Sequence, residues 1–144
     1  MTLYLDTSSL VKLYVAESGA EAVWELVDGA TIVATSVIAY AETRAALARL
    51  RREGSLRPPA FTAIKHSFDQ DWPSYLTLDV TLSICRTAGD LAERYRLRGY
   101  DSVHLASFVE VARLAGSGET RFSRFDDGLN RAAQAVARTL ARAR

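Results

Sequence analysis

The chain is poor in cysteine, in lysine and in long apolar runs, and each shortage excludes something. Its single cysteine, Cys85, cannot form an internal disulfide or support a cysteine-based zinc site. The stretch between Asp28 and Glu42 carries no charge, but Thr31, Thr35 and Ser36 interrupt it. It falls short of the roughly 20 apolar residues a membrane span needs, so no membrane association is expected. The first residues, Met-Thr-Leu-Tyr-Leu-Asp, show no basic region ahead of an apolar core and so lack the pattern of a secretory signal. A reduced, cytoplasmic setting is the expectation.

What is present is an ordinary globular balance. Of 144 residues, 49% are apolar and 24% charged, enough for the core of one compact domain spanning residues 1–144 and too apolar for a disordered chain. The net charge of +1 favours neither nucleic acid nor membrane, but the cations are unevenly chosen. Lys12 and Lys65 are the only lysines among 18 basic residues. Arginines crowd between Arg44 and Arg57, and the C-terminal stretch carries Arg131, Arg138, Arg142 and Arg144 with no acid after Asp127. The planar guanidinium suits phosphate, so these segments are either an RNA-facing surface or solvated helix faces.

Short apolar runs alternate with helical periodicity along the whole length. Leu3-Tyr4-Leu5, Thr31 to Thr35, Tyr75 to Val80 and Thr120 to Phe125 read as strands. Helical patterns run from Gly19 to Val27, from Val37 to about Glu53 behind a Ser36 cap, and from Pro58 to Asp71. Others cover Thr81 to Arg96, Asp101 to Ala115 and Asp126 to Arg144. Trp24 and Cys85 fall in apolar helical patterns and read as core. The alternation implies an α/β fold in which a central parallel sheet lies between helical layers. Right-handed crossovers then bring every strand's C-terminal end to one edge, where such folds bind ligands.

Four acids fall at that edge. Asp6 ends the first strand and is followed by Thr7 and Ser8, which also makes it a good helix cap. Glu42 is set among Ile38, Ala39, Ala45 and Ala46, and a carboxylate in an apolar stripe needs a cation or an internal ion pair. Asp101 opens a helix, and Asp126, with Asp127 beside it as a competitor, precedes the last one. Clustered carboxylates repel and persist by sharing protons or binding a cation, so removing Glu42 is expected to stabilise the metal-free chain. With only His66 and His104 as nitrogen ligands, an all-oxygen site for Mg2+ or Mn2+ is indicated. Such ions activate water and stabilise a leaving oxygen, which points to phosphoryl transfer or hydrolysis. His104 is a candidate general base, or a hydrogen-bonding group between helices. Tyr40 and Tyr100, beside two of the acids, either stack a base or pack. Two other readings remain open: a non-catalytic acidic dock for a partner's arginines, and a phosphatase-like domain. For the latter the usual second aspartate is missing, because Ser8 stands there.

In sequence order, Leu-Tyr-Leu-Asp6-Thr-Ser-Ser-Leu-Val-Lys12, Ala-Tyr-Ala-Glu42, Arg-Gly-Tyr-Asp101-Ser-Val-His-Leu-Ala and Phe-Ser-Arg-Phe-Asp126-Asp-Gly-Leu-Asn resemble the PIN domain family. The resemblance covers nearly the whole chain, and the length is similar to that of stand-alone VapC-type toxins. It implies a three-layer α/β/α sandwich and a Mg2+- or Mn2+-dependent endoribonuclease acting in the cytoplasm. It also implies a homodimer and a VapB-type antitoxin partner. By position, Asp6 and Asp101 would be the chief metal ligands, with Glu42 and Asp126 completing the cluster. Thr7 and Ser8 would hold the site by hydrogen bonds. Where the family often has Ser or Thr before the last Phe-Asp, this chain has Arg124, which would touch phosphate or pair with an acid. Lys12 is a further candidate for substrate contact.

Overall fold

The computed structural model describes residues 1–124 and 127–143. Its centre is β1 (Thr2–Leu5), all four residues of which are buried. Strands covered on both faces are uniformly apolar rather than alternating, which is why Leu3-Tyr4-Leu5 carries no polar face. β1 runs parallel to β2 (Ile32–Ser36), with Leu3 opposite Val33, and parallel to β4 (Thr120–Ser123), with Leu5 opposite Ser123. β3 (Leu76–Leu78) adds to β2, giving the strand order β3-β2-β1-β4.

Among the described residues, seven α-helices cover this sheet: α1 (Thr7–Val11), α2 (Ala20–Asp28), α3 (Ile38–Arg52), α4 (Pro58–Asp71), α5 (Leu82–Tyr95), α6 (Gly99–Ala115) and α7 (Asp127–Arg142). Successive side chains of a strand point to opposite faces, and β1 divides the core accordingly. Leu3 and Leu5 pack with Leu10, Val23, Ala39 and Phe68, so α1 to α4 form one layer. Tyr4 points the other way, into Ala34, Leu105, Phe108 and Leu129, and α5 to α7 form the opposite layer. The expected three-layer α/β/α sandwich with a parallel sheet is therefore what the chain adopts. No helix of the described residues is long and apolar enough to cross a membrane.

Several boundaries and burials differ from expectation. The third strand is only three residues long, because Tyr75 still closes the 3-10 turn Trp72–Ser74 and Thr81 already caps α5. Ser36 ends β2; its Oγ accepts weakly from the Ile38 N–H at 3.4 Å, while Val37 occupies the cap position of α3. The last helix was expected from Asp126, which lies outside the described residues. Trp24 is 48% exposed rather than core. Val23 is the buried residue of α2, and Trp24 is turned onto a shallow outer cavity with Tyr14 and Val27. Cys85 is also exposed: Leu91 and Tyr95 pack against the core from α5, whereas Cys85 lines an outer groove with Gly89 and Ala92.

The α1–α4 layer centres on Phe68, whose ring meets Tyr14, Tyr40 and Trp72 at centroid distances of 5.3, 5.4 and 5.5 Å. Tyr40 thus packs in this cluster rather than facing the sheet edge. Truncating a fully buried phenylalanine forfeits its burial and leaves a void, so Phe68→Ala should cost about 3–5 kcal/mol. Urea unfolding will check this. A loss below about 1 kcal/mol would show that the cluster contributes little.

Candidate functional site

β1 connects onward to β2 on one side, while β4 joins on the other, so the chain direction switches between β1 and β4. In open parallel sheets that switch point opens a crevice beyond the strands' C-terminal ends. Asp6 leaves β1 there and Arg124 leaves β4. The Asp6 N–H donates to the Ser123 carbonyl (3.3 Å), and the Ser9 and Ser123 hydroxyls meet at 3.0 Å.

Asp6 is both a cap and a member of the cavity wall. Its Oδ1 accepts from the Ser9 N–H (3.0 Å) and the Ser8 hydroxyl (2.7 Å), closing the first turn of α1. Its Oδ2 faces the Arg124 Nε at 3.4 Å. Asp101, from the first turn of α6, forms an ion pair with the same guanidinium, its Oδ1 lying 3.2 Å from the Arg124 Nη1. Asp101 is not the cap of α6 as expected: the helix begins two residues earlier, behind Arg98, so Asp101 projects from inside the first turn. Arg98 lies on the solvent side, 3.7 Å from the second Asp101 oxygen.

Glu42 enters from α3. The Thr7 hydroxyl donates to its Oε1 (2.6 Å), and the His104 Nε2 lies 2.7 Å from the same oxygen. The His104 Nδ1 is 2.9 Å from the Tyr4 hydroxyl. The imidazole, 2% exposed, therefore links a carboxylate at the sheet edge to a tyrosine in the core.

These environments push the buried Asp6 and the half-buried Glu42 carboxyls in opposite directions. Burial raises Asp6 above the ordinary aspartate range, against the hydrogen bonds from Ser8 and Ser9 and the positive charges of His104 and Arg124. Burial acts on Glu42 in the same sense, but hydrogen bonds from His104 and Thr7, with the charges of His104 and Arg124, outweigh it and hold Glu42 low. The carboxylate of Glu42 is therefore the form the fold favours, which predicts a loss of stability on removing it in place of the gain the sequence suggested.

Asp6, Glu42 and Asp101 line one open cavity of about 540 Å3 together with Thr7, Ser8, His104 and Arg124. Lys12 and Arg49 stand at its wall, as do Arg98 and Tyr100, the last 68% exposed. Lys12 is tied to Glu17 (3.0 Å) and to the Ser18 carbonyl (2.7 Å). Asp126 and the side chain of Asp127 lie outside the described residues. Among the described residues, no three carboxylates or imidazoles are grouped to hold a metal ion as they stand. Arg124 takes the space between Asp6 and Asp101, and Glu42 is turned to His104. The donor chemistry of the wall, carboxylates with hydroxyls, nonetheless suits a hard divalent cation.

Sequence reasoning missed the rim residues Arg49 and Arg98 and the position of His104 as a hub. The signal for two of them was helical spacing, because Arg98, Asp101 and His104 recur every three residues along α6.

Comparison with known proteins establishes the family and the fold. The PIN domain model matches residues 3–135, and the chain belongs to that family. Within it the chain is of the VapC type. It is similar to "Ribonuclease VapC45" and "Ribonuclease VapC49" from two strains of Mycobacterium tuberculosis. Each is 35% identical over 109 residues, 76% of either chain. In fold it resembles M. tuberculosis VapC20, described as a Sarcin-Ricin loop cleaving toxin, with a TM-score of 0.63 and 20% identity over 90% of this chain and 94% of that one. The structure of FitAcB from Neisseria gonorrhoeae aligns with the same TM-score at 19% identity, over 92% and 93% of the two chains.

A glutamate held below its ordinary value contributes stability above that value and loses it as pH falls. An aspartate raised by burial does the reverse, favouring the fold when protonated and opposing it as pH rises. In EDTA at pH 7, Glu42→Gln should therefore lower the melting temperature and Asp6→Asn should raise it. Both should converge on the wild type as pH drops through the carboxyl range. Thermal melts across pH 4 to 8 will read this; a shift of the same sign in both variants would contradict the assignment.

Proposed function

We infer that this chain is an endoribonuclease of the toxin–antitoxin kind that hydrolyses RNA phosphodiesters with a divalent cation. One observation carries the reading. Three carboxylates from three separate places in the chain, the end of β1, α3 and α6, are delivered to a single open cavity. The family match, and similarity to proteins named ribonucleases, support that chemistry.

Asp6 and Asp101 would hold Mg2+ or Mn2+, with Glu42 and Asp126 completing the set, and the ion would supply an activated water and charge neutralisation for the leaving oxygen. The chain's own residues do the positioning. Ser8 and the Ser9 N–H fix the Asp6 carboxylate through Oδ1 and so orient Oδ2 towards the cavity. Thr7 and His104 fix Glu42, and Tyr4 fixes His104 from the core. Preorganisation of this sort removes the cost of arranging donors at the moment of reaction. His104 is a positioning residue here, since its ring is buried and both nitrogens are engaged.

The rim suits RNA. Lys12, Arg49 and Arg98 surround the acidic floor with positive charge, which draws a phosphate backbone over the site. Tyr100, exposed at the cavity mouth, offers a ring face to an unpaired base. The proposal extends to one PIN domain over residues 1–144, a homodimer, a VapB-type antitoxin and action in the cytoplasm. A pure docking pocket for a partner's arginine is the second reading, favoured by the guanidinium already lodged between Asp6 and Asp101.

The test is cleavage of labelled total RNA by purified protein in Mn2+ or in EDTA. Discrete products should appear only with Mn2+, and Asp101→Ala should reduce their rate by roughly a hundredfold or more, the scale of losing one charged group at a reacting centre. Intact RNA together with no heat of Mn2+ binding would favour the docking pocket instead.

A further inference from the structure

The most unusual side chain in the cavity is Arg124. Its side chain is only 6% exposed, although arginine is seldom buried without anionic partners. The guanidinium meets Asp6 Oδ2 through Nε at 3.4 Å and Asp101 Oδ1 through Nη1 at 3.2 Å. These are the two carboxylates best placed to bind a cation, and Arg124 faces an inward oxygen of each. A positive charge held between two carboxylates does the electrostatic work that a bound cation would do: it neutralises repulsion and compensates for burial.

We propose that Arg124 is the resident cation of this pocket, and that a divalent ion binds by exchanging with it. The guanidinium and the ion compete for the same oxygens of Asp6 and Asp101, so both cannot hold them together. Local structure allows the exchange. Arg124 lies just past the end of β4, outside the hydrogen-bonded ladder. Its carbonyl accepts from the Asn130 amide (2.8 Å), which holds the backbone in place at the cavity wall while the side chain exchanges partners. The cavity beside it is wide and open. Arg98 lines the same cavity, and a guanidinium displaced along that wall would be placed to pair with a phosphate of an incoming strand. The metal-free chain is thereby protected against both charge repulsion and adventitious cations.

This inference rests on the reading of the pocket as a divalent-cation site, and the experiment separates the two. Mn2+ binding is measured by calorimetry on wild type, Arg124→Met and Arg124→Lys. Arg124→Met should bind roughly ten- to a hundredfold more tightly, the scale on which one adjacent charge shifts a carboxylate's proton affinity. Arg124→Lys, which keeps the charge, should stay near wild type. Equal or weaker binding by Arg124→Met overturns the exchange while leaving the metal site standing. No binding by any of the three overturns both. A second measurement needs no variant to fold: the Arg124 Nε–H resonance is followed by NMR during Mg2+ titration of the wild type. Displacement should shift it and expose it to solvent exchange as the ion saturates. An unmoved signal at saturation overturns the proposal.

Discussion

Three carboxylates placed at one edge of a sheet repel one another, and the chain has to answer that repulsion with positive charge or with protons. The answer is local and unsymmetrical. Asp6 and Asp101 share one guanidinium, from Arg124. Glu42 is settled separately by an imidazole and a hydroxyl, from His104 and Thr7. The acids therefore form a pair and a single rather than a uniform cluster, and Asp6 and Glu42 respond to burial with opposite outcomes. Much of the surrounding structure serves this arrangement. α1 is short because its first turn exists to wrap Asp6, and α6 starts early enough to carry Asp101 inward from its first turn.

The core and the cavity are joined through Tyr4. Its ring stacks on Phe122 and meets Phe108 edge-on within the α6–α7 side of the core, while its hydroxyl reaches the His104 ring. A buried tyrosine needs a partner for its hydroxyl, and here that partner holds a functional carboxylate. Packing of the hydrophobic layer and orientation of Glu42 are consequently set by one side chain.

The architecture was legible because it depends on period and punctuation. The uniformly apolar Leu3-Tyr4-Leu5, the β-branched run at Thr31 to Thr35 and the Gly and Pro breaks between helices suffice for a parallel sheet in a sandwich. Placing Asp6 and Glu42 at its edge also followed from pattern, since one ends a strand and the other interrupts an apolar stripe. Contacts across 23 to 118 residues did not follow. The partners of Glu42, the reach of Arg124 to Asp6 and Asp101, and the link from Tyr4 to His104 are all tertiary, and no local spacing encodes them. Trp24 and Cys85 were misjudged for a related reason. Amphipathic period defines a face, but a residue at its margin is assigned to core or solvent by the neighbouring helix.

The pairing of β4 with β1 carries a consequence for how such chains can vary. Arg121, Phe122 and Ser123 stand opposite Leu3, Tyr4 and Leu5. Because side chains alternate with a period of two, a slip of one residue would turn Phe122 away from Tyr4 and send Arg124 to the other face of the sheet. The turn between α6 and β4, Gly116 to Glu119, is thus a spacer of fixed length, and an inserted or deleted residue there would silence the cavity without touching any residue in it.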